Sequence, residues 1–374
     1  MVSRWAAGLA WMFAAAGAAA QGVTATEIVI GQTSSFSGAI GGEVREQTEA
    51  AKLYIDTVNA SGGVHGRKIR LVSLDDAFDP KRAAQNARTL IDKGVFALFL
   101  TRGTPQNEAI LPIIKETGTP LIAPSTGAAI LHEPVNPLVF NVRTRYQTEA
   151  ERAIAQLASQ GITRIAVVHV GDSFGKDCLV GFATGFTKAG LEPVGVFSYD
   201  RQKGDTREAA EKVIELKPQA VVTAGHSKPL ASLVKAVRAA GLGGMQIVTL
   251  SNLSSQSFLN DLGDAKHGVI VMQVFPNPTR DLTRIAMELR QLAAGKPEVV
   301  VSHMALEGFV AAKVLVEGLK RAGRQPTRAS LLAALESLRD YDLGGLKLSF
   351  APTSHTGLTF VDASIINRSG RFIQ

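Results

Sequence analysis

The chain has a single cysteine, Cys178, in 374 residues, which excludes an intramolecular disulfide. Its stability must therefore come from an apolar core, and we expect Cys178 to be a small buried side chain rather than a nucleophile. The seven histidines form neither an H-x-x-x-H nor an H-E-x-x-H pair, so we expect no metal and no cofactor. The phosphate-binding pattern G-x-x-x-x-G-K-[ST] is absent too, so ATP hydrolysis would belong to partner subunits.

Strong charge of one sign and long apolar runs are also missing. Lys and Arg number 40 against 33 acidic residues, and the excess is spread along the chain. Because no basic run is interleaved with aromatic residues, nucleic acid is not an expected partner, and the charge favours solubility with a mild attraction for anions. After the first 20 residues, no segment of 18 uncharged apolar residues occurs.

Residues 1–20 have the pattern of a secretory leader. Arg4 precedes an apolar run from residue 5 to residue 16, and Ala18, Ala19 and Ala20 come before Gln21. The run is shorter than the roughly 20 residues that a membrane-spanning helix needs, so we predict a signal peptide cleaved after Ala20. Since no cysteine follows at the cleavage site, we expect a freely diffusing periplasmic protein without a lipid anchor.

The remaining chain alternates short β-branched runs with amphipathic helices, which predicts an α/β fold with mostly parallel sheets. We predict two series of strands, at 28–32, 69–74, 96–100, 121–123 and 139–142, and at 164–170, 193–199, 220–224, 246–250 and 268–273. About 350 residues exceed what one core usually supports, so each series should form one doubly wound lobe. The predicted lobes are residues 26–142 with 277–341 and residues 143–276 with 342–374, with chain crossings near 141–145, 274–278 and 341–345.

The stretch from residue 59 to residue 80, N-A-S-G-G-V-H-G-R-K-I-R-L-V-S-L-D-D-A-F-D-P, predicts a helix end, a glycine turn, a strand and a new helix. Gly62 and Gly63 can adopt the left-handed backbone that reverses the chain after a helix. Asp79 suits a helix N-cap, and Pro80 suits the first helical position because its missing N–H costs nothing there.

The N-x-x-G-G-V-x-G-R-K block, followed by D-D-x-x-D-P, resembles the periplasmic amino-acid-binding proteins of the leucine/isoleucine/valine type, the soluble receptors of ABC importers. The flanks at 28–32 with 37–38, at 121–126, and at 344–350 as a closing strand are similar to that family as well. The resemblance implies a type I periplasmic binding protein with two lobes and a three-crossing hinge. It would bind a branched-chain amino acid or a similar small carboxylate as a monomer and deliver it to permease and ATPase subunits. The 59–80 stretch itself should be scaffold with little or none of the binding site.

Ligands of open α/β sheets bind in the loops at the carboxyl ends of strands. In the first lobe, the candidates are Ser37, Glu43, Arg102, Thr104, Ser125, Thr126 and Gly127. Hydroxyls and N–H groups at helix N-termini suit an anion, although ordinary helix caps have the same composition. By resemblance, the Thr104 hydroxyl binds the ligand carboxylate, and the loop from residue 125 to residue 127 completes that contact.

The second lobe should contribute Tyr146, Phe174, His226, Ser251 and Asn252. By resemblance, Phe174 packs on the ligand. The related receptors hold the ligand's ammonium with carboxylate and tyrosine groups in this lobe, whereas the matching loops here carry neutral or weakly basic residues. Glu43 or Asp172 could replace those groups. A carboxylate ligand without an ammonium fits equally well, and Arg102 and His226 would favour it.

Two other functions fit parts of the pattern. The sequence from Gly171 to Gly175 matches G-x-S-x-G between a strand and a helix, and Asp261 or Asp264 with His267 or His303 could complete a triad around Ser173. No H-G-G-G segment precedes it, so we expect no enzyme. A ligand sensor that presents its closed form to a regulator or chemoreceptor remains the second hypothesis, and neighbouring permease and ATPase genes would distinguish the two.

Overall fold

The computed structural model describes residues 21–373, so the predicted leader and its cleavage site lie outside the described residues. The strands are β1 (Glu27–Ser34), β2 (Lys68–Asp75), β3 (Ala97–Phe99), β4 (Leu121–Ile122), β5 (Val139–Phe140), β6 (Ile165–Val170), β7 (Gly195–Tyr199), β8 (Ala220–Ala224), β9 (Gln246–Thr249), β10 (Val269–Gln273), β11 (Tyr341–Asp342), β12 (Lys347–Leu348), β13 (Asp362–Ile366) and β14 (Phe372–Ile373). The helices are α1 (Gly41–Ala60), α2 (Pro80–Asp92), α3 (Thr104–Thr117), α4 (Tyr146–Ser159), α5 (Ser173–Ala189), α6 (Arg207–Leu216), α7 (Ser227–Ala239), α8 (Gln256–Leu262), α9 (Arg284–Ala293), α10 (His303–Arg321) and α11 (Arg328–Glu336).

The first lobe is built on a parallel sheet in the order β2-β1-β3-β4-β5. Successive side chains of a strand point to opposite faces, and Ala97 and Phe99 enter one core while Leu98 enters another. The first of these cores contains side chains of α1, α9, α10 and α11, and the second contains those of α2 and α3. Both faces of the sheet are therefore covered, which explains why its short strands are continuously apolar.

The second lobe repeats this arrangement. Its parallel strands run β7-β6-β8-β9-β10, which is the strand order of the first sheet, and α4 to α8 supply the helical part of its core. In the first sheet, β2 and β3 lie on opposite sides of β1, and in the second sheet β7 and β8 lie on opposite sides of β6. The loops after these neighbouring strands therefore diverge, which creates a switch point in each lobe. The predicted α/β fold with two doubly wound lobes is confirmed.

The local signals between residues 59 and 80 are confirmed as well. Helix α1 ends at Ala60, and Gly63 has a φ of 74° in a turn where an added β-carbon would lie 2.0 Å from the Arg67 carbonyl oxygen. The Asp79 carboxylate accepts hydrogen bonds from the backbone N–H groups of Lys81 and Arg82, and Pro80 begins α2. Sequence chemistry alone fixes this helix–turn–strand–helix unit.

The C-terminal part differs from the prediction. The expected closing strand at 344–350 is only β12, which forms a hairpin with β11, because Gly344 and Gly345 adopt positive φ in the turn. Two unpredicted strands, β13 and β14, extend the second sheet in antiparallel pairing. The apolar side chains between Leu343 and Leu358 pack in the first core, which favours a third crossing near Leu358 over the predicted one at 341–345. The lobe boundaries remain predictions.

The single cysteine lies in α5 and is fully buried in the second core. Burial raises the pKa of the Cys178 thiol well above its ordinary value, as expected for a structural rather than a reactive cysteine. Within residues 21–373, no helix combines the length and the apolar character needed to cross a membrane.

Candidate functional site

One cavity is lined by residues from both lobes. They follow the carboxyl ends of β1 to β5 in the first sheet and of β6 to β9 in the second, as expected for doubly wound sheets. The lining residues are Ile40, Glu43, Phe78, Arg102, Gly103, Thr104, Pro105, Ser125, Tyr146, Phe174, Arg201, His226, Asn252 and Leu253.

Arg102 is the central cation of the first lobe. It follows β3 at the switch point and is 5% exposed. Its Nη1 donates to the Ser125 hydroxyl at 3.1 Å, and its Nη2 donates to the backbone oxygen of Asn252 at 3.1 Å. A guanidinium has five N–H donors, so Arg102 can hold the two lobes together and still offer hydrogen bonds to an anion in the cavity.

The hydroxyl groups near Arg102 differ in what they can still bind. Ser125 donates to Glu307 at 2.9 Å and accepts from Gln47 and Arg102, so its hydrogen and both lone pairs are used. Thr104 and Thr126 share one hydrogen bond of 2.8 Å between their hydroxyls. One hydroxyl hydrogen of that pair stays available, and Thr104 is the member that lines the cavity.

Glu43 lies in the first turn of α1 and is 1% exposed. Neither of its carboxylate oxygens has a hydrogen-bond partner among residues 21–373. Burial raises the pKa of Glu43, and the charge of Arg102 opposes this shift. The cavity therefore contains a carboxylate that is free to bind a donor.

The charged groups of the second lobe are already paired. Asp172 accepts from Arg201 at 2.7 Å and from the backbone N–H of Gly175, so it caps α5. Burial would raise the pKa of Asp172, but His226 and Arg201 outweigh it and lower the pKa to about 2. Burial lowers the pKa of His226. Asp172 opposes this shift through a hydrogen bond and its charge, and the attraction for anions expected from His226 stays a prediction.

Aromatic rings form much of the remaining wall. The rings of Tyr146 and Phe174 meet edge to face with their centroids 4.9 Å apart, and the ring centroid of His226 lies 5.8 Å from that of Phe174. Phe78 comes from the first lobe, and its ring centroid lies 4.8 Å from that of His226. The Arg201 guanidinium lies 3.8 Å from the Phe78 ring and donates to the Phe78 carbonyl oxygen. Phe78 thus joins the two lobes at the cavity wall.

A buried charge network lies behind the cavity. Arg143, 1% exposed, bonds Glu149 at 2.5 Å and Ser251 at 2.6 Å, and lies 3.7 Å from Glu307. Glu149 and Ser251 belong to the second lobe, whereas Glu307 lies in α10 of the first. Because Arg143 follows β5 at the first crossing, the network connects the crossing segment to both lobes.

Further direct contacts hold the lobes in a closed arrangement. The Glu46 carboxylate of α1 accepts from the backbone N–H groups of Gln256 and Ser257 at the start of α8. Ser173 at the start of α5 donates to Glu108 of α3 at 2.7 Å. Gly42 approaches Ser257 so closely that an added β-carbon would lie 2.1 Å from the Ser257 hydroxyl oxygen.

The structure brings eight of the predicted site residues to the cavity, namely Glu43, Arg102, Thr104, Ser125, Tyr146, Phe174, His226 and Asn252. The other four predicted residues are not among the lining residues. Thr126 is paired with Thr104, and Ser251 is held by Arg143 and Glu149.

The remaining two lie away from the cavity for structural reasons. Ser37 is exposed, and both its hydroxyl and its backbone N–H donate to Asp75. Gly127 accepts a hydrogen bond from the Tyr146 N–H, and an added β-carbon would lie 2.7 Å from that nitrogen. Gly127 is thus a glycine because α4 begins against it.

Phe78 is one of the lining residues that the sequence prediction missed, and it is the only described lining residue from the 59–80 stretch. The serine loop after β1 holds the turn that presents Phe78, because Ser35 and Ser37 donate to Asp76 and Asp75 at 2.6 Å each. Phe78 has a φ of 65°, and its N–H donates to Asp76. In the sequence, this turn is indicated only by the adjacent Asp75-Asp76 pair together with the serine-rich loop after β1.

Ile40, Gly103, Pro105, Arg201 and Leu253 were missed as well. Ile40, Gly103, Pro105 and Leu253 directly adjoin or lie close to predicted residues in loops that were correctly located. Arg201 follows β7, a strand end from which no candidate was chosen, and its pairing with Asp172 depends on the order of β6 and β7 in the sheet.

The geometry around Ser173 does not form a triad. Its hydroxyl donates to the Glu108 carboxylate, Asp261 accepts from Ser227, and neither ring nitrogen of His303 has a partner in the described part of the chain. Among residues 21–373, no cluster of three or more His, Cys, Asp or Glu side chains could hold a metal ion.

Comparison with known proteins identifies relatives over nearly the whole described chain. The sequence profile of the periplasmic binding protein family matches residues 27–361. The Leu/Ile/Val/Thr-binding protein of Salmonella typhimurium is 24% identical over 254 residues, which are 66% of this chain and 68% of that protein. A substrate-binding periplasmic protein from Ralstonia solanacearum is 32% identical over 93% of this chain and 100% of its own, with a TM-score of 0.87. A possible leucine/isoleucine/valine-binding protein from Rhodopirellula baltica is 26% identical, covering 94% of this chain and 97% of its own, with a TM-score of 0.85.

Proposed function

Because this chain belongs to the periplasmic binding protein family, we propose that it is the solute receptor of an ABC importer and that it captures a small carboxylate-bearing solute between its lobes. The family comprises substrate-binding proteins rather than enzymes, and its members work in the periplasm. A branched-chain amino acid or an organic acid of similar size is the proposed ligand. The names of its relatives support an amino acid.

The observation that carries the proposal is the position of Arg102. A buried guanidinium that lines a cavity between two lobes is a strong site for a carboxylate, because burial removes competing water and the planar donors match two oxygens. The Thr104 hydroxyl adds a donor beside it. Tyr146, Phe174 and Phe78 offer apolar surface for the rest of the solute.

Closure would couple ligand capture to transport. A solute that touches Arg102 in one lobe and Phe174 in the other binds the closed arrangement more tightly than an open one, and this difference shifts the population toward the closed form. The contacts of Arg102 with Asn252 and of Phe78 with Arg201 already join the lobes. We propose that the permease recognises the closed form, that the ATPase acts behind it, and that the receptor is a monomer cleaved after Ala20.

The proposal is tested with the mature chain, residues 21–374. A thermal-shift screen of aliphatic and aromatic amino acids and organic acids should show stabilisation by carboxylates of one class, since binding to the native state raises the melting temperature. Calorimetric titration then gives the affinity, and small-angle scattering gives the change in radius of gyration. If no carboxylate in the screen binds, the proposal is wrong.

A second measurement separates a transport receptor from a sensor. Where a permease and an ATPase are encoded beside this gene, they are reconstituted in proteoliposomes, and ATP hydrolysis is measured with the receptor and its ligand. Stimulation that needs both supports the importer, whereas tight ligand binding without any stimulation supports the sensor.

A further inference from the structure

The cavity contains one acidic side chain among its described lining residues, Glu43, and its environment is unusual. The side chain is 1% exposed, yet neither carboxylate oxygen has a hydrogen-bond partner in the described part of the chain. A buried carboxylate without donors is costly, and native structures rarely keep one without a reason. Ser227 lies nearby, but its hydroxyl donates to Asp261 at 2.6 Å.

Every other buried acid around the cavity is committed to protein groups. Asp172 is bound by Arg201 and by the N-terminus of α5. Glu307 accepts from Ser125, Glu149 accepts from Arg143 and from Ser251, and Glu46 caps α8. Glu43 therefore differs from all of them, because no group among residues 21–373 donates a hydrogen bond to either of its carboxylate oxygens.

The charges in the cavity indicate which donor would fit. A ligand carboxylate bound at Arg102 would face Glu43 as a second anion, and two anions in one buried site repel each other. A cationic group on the same ligand removes that repulsion and supplies N–H donors to the two free oxygens.

From this arrangement we propose that Glu43 binds an ammonium group of the ligand and is the specificity-determining residue that selects amino-bearing carboxylates over deaminated ones. The inference rests on the proposed function, because it concerns the same cavity. It assigns the cation site to the first turn of α1, in the same lobe as Arg102. The second lobe then contributes neutral and aromatic contacts to the apolar part of the ligand.

The test compares matched ligands on the unmodified mature chain. Each set pairs an amino acid with its deaminated analogues: leucine with α-ketoisocaproate and isocaproate, valine with α-ketoisovalerate and isovalerate, and phenylalanine with phenylpyruvate and hydrocinnamate. We expect at least one amino acid to bind about 100-fold more tightly than its partners, since a buried charge left unpaired is strongly penalised. Deaminated analogues that bind as tightly as the amino acids would overturn the inference and leave the proposed function standing.

The same ligands are then titrated into Glu43→Gln, with Glu49→Gln as the matched control in the same helix, where Glu49 pairs with Lys52 near the surface. We expect the Glu43 variant to lose about 30-fold or more in affinity for the amino acid, because a buried ion pair is broken, and to bind the deaminated analogues no more weakly. Circular dichroism and the melting temperature without ligand check that the variant folds.

Equal weakening of amino and deaminated ligands by Glu43→Gln would overturn the inference, since it would show a general rather than a cation-specific role. If no member of any set binds the wild-type protein, the proposed function fails as well. That result is distinct from selective binding of deaminated acids, which contradicts only the role of Glu43.

Discussion

Arg102 of the first lobe donates a hydrogen bond of 3.1 Å to the backbone oxygen of Asn252 in the second lobe. The same side chain lines the cavity, so one guanidinium both binds across the cleft and faces the proposed ligand. A solute bound at Arg102 would therefore contact a side chain that also joins the two lobes.

Replacing Arg102 with Met should weaken binding of the best carboxylate ligand by about 100-fold, because a charge-assisted hydrogen bond in a buried site is lost. Calorimetric titration measures the affinity. Arg88→Met serves as the control, because Arg88 pairs with Glu116 on the surface and should leave the affinity unchanged. Wild-type affinity in the Arg102 variant would show that the carboxylate binds elsewhere.

Replacing Arg143 with Met should reduce the free energy of unfolding by about 3–5 kcal/mol, since Glu149 and Glu307 would remain buried without their cation. Urea denaturation measures the loss. Arg145→Met is the matched control, because its partner Glu133 is largely exposed and surface pairs contribute little. A loss below about 1 kcal/mol would contradict the role assigned to the Arg143 network.

Replacing His303 with Leu should raise the free energy of unfolding at pH 7 by about 1–3 kcal/mol, because both ring nitrogens are buried and neither has a partner among residues 21–373. The side chain lies at the start of α10, edge to face with Phe372. Urea denaturation compares the variant with His267→Gln, a change at an exposed histidine. A lower free energy of unfolding for the Leu variant would mean that the His303 ring nitrogens form hydrogen bonds in solution.

His303 also predicts how stability depends on pH. Burial lowers the pKa of His303 to about 3, whereas a histidine in the unfolded chain has a pKa of about 6.5. Between these values the unfolded state binds more protons, so stability falls as pH decreases from 6.5 toward 3. Denaturation at several pH values gives the slope of the free energy of unfolding against pH. In this range the slope should be smaller in His303→Leu than in the wild type by up to about 1.4 kcal/mol per pH unit.

Replacing Gly42 with Ala should hinder closure without destabilising the first lobe. The new methyl group would meet the Ser257 side chain of the other lobe at 2.1 Å, while alanine is the better helix former by about 1 kcal/mol. We expect at least about 10-fold weaker ligand binding, measured by calorimetry, and a larger radius of gyration with ligand present. Adding Ser257→Gly should restore the affinity, and failure of this rescue would argue against a steric cause.

The sequence allowed most of the architecture to be predicted, because burial on both faces makes parallel strands such as β6 and β8 nearly continuous apolar runs between two turn signals. The strands β13 and β14 were not predicted. They lie at the edge of the second sheet, and their exposed residues Ile365 and Ile373 obscure the pattern. Edge pairing is decided by tertiary contact rather than by local composition.

The candidate site was predictable as a set of loops but not as a set of contacts. Thr126 and Ser251 have the composition of ligand-binding residues, yet their hydroxyls bond Thr104 and Arg143. Phe78 and Arg201 reach the cavity only because the lobes meet, since each contacts the other across the cleft. Composition shows which groups can bind, and only the fold shows which remain unoccupied.

The isolation of Cys178 in the second core makes this chain well suited to site-specific labelling. A thiol that is fully buried, with its pKa raised by burial, reacts poorly with maleimides, because the thiolate is the reactive species. A fluorophore attached to a cysteine introduced at the cleft margin would therefore be the dominant label on the native protein. The receptor could then report its own ligand optically, without prior removal of the natural cysteine.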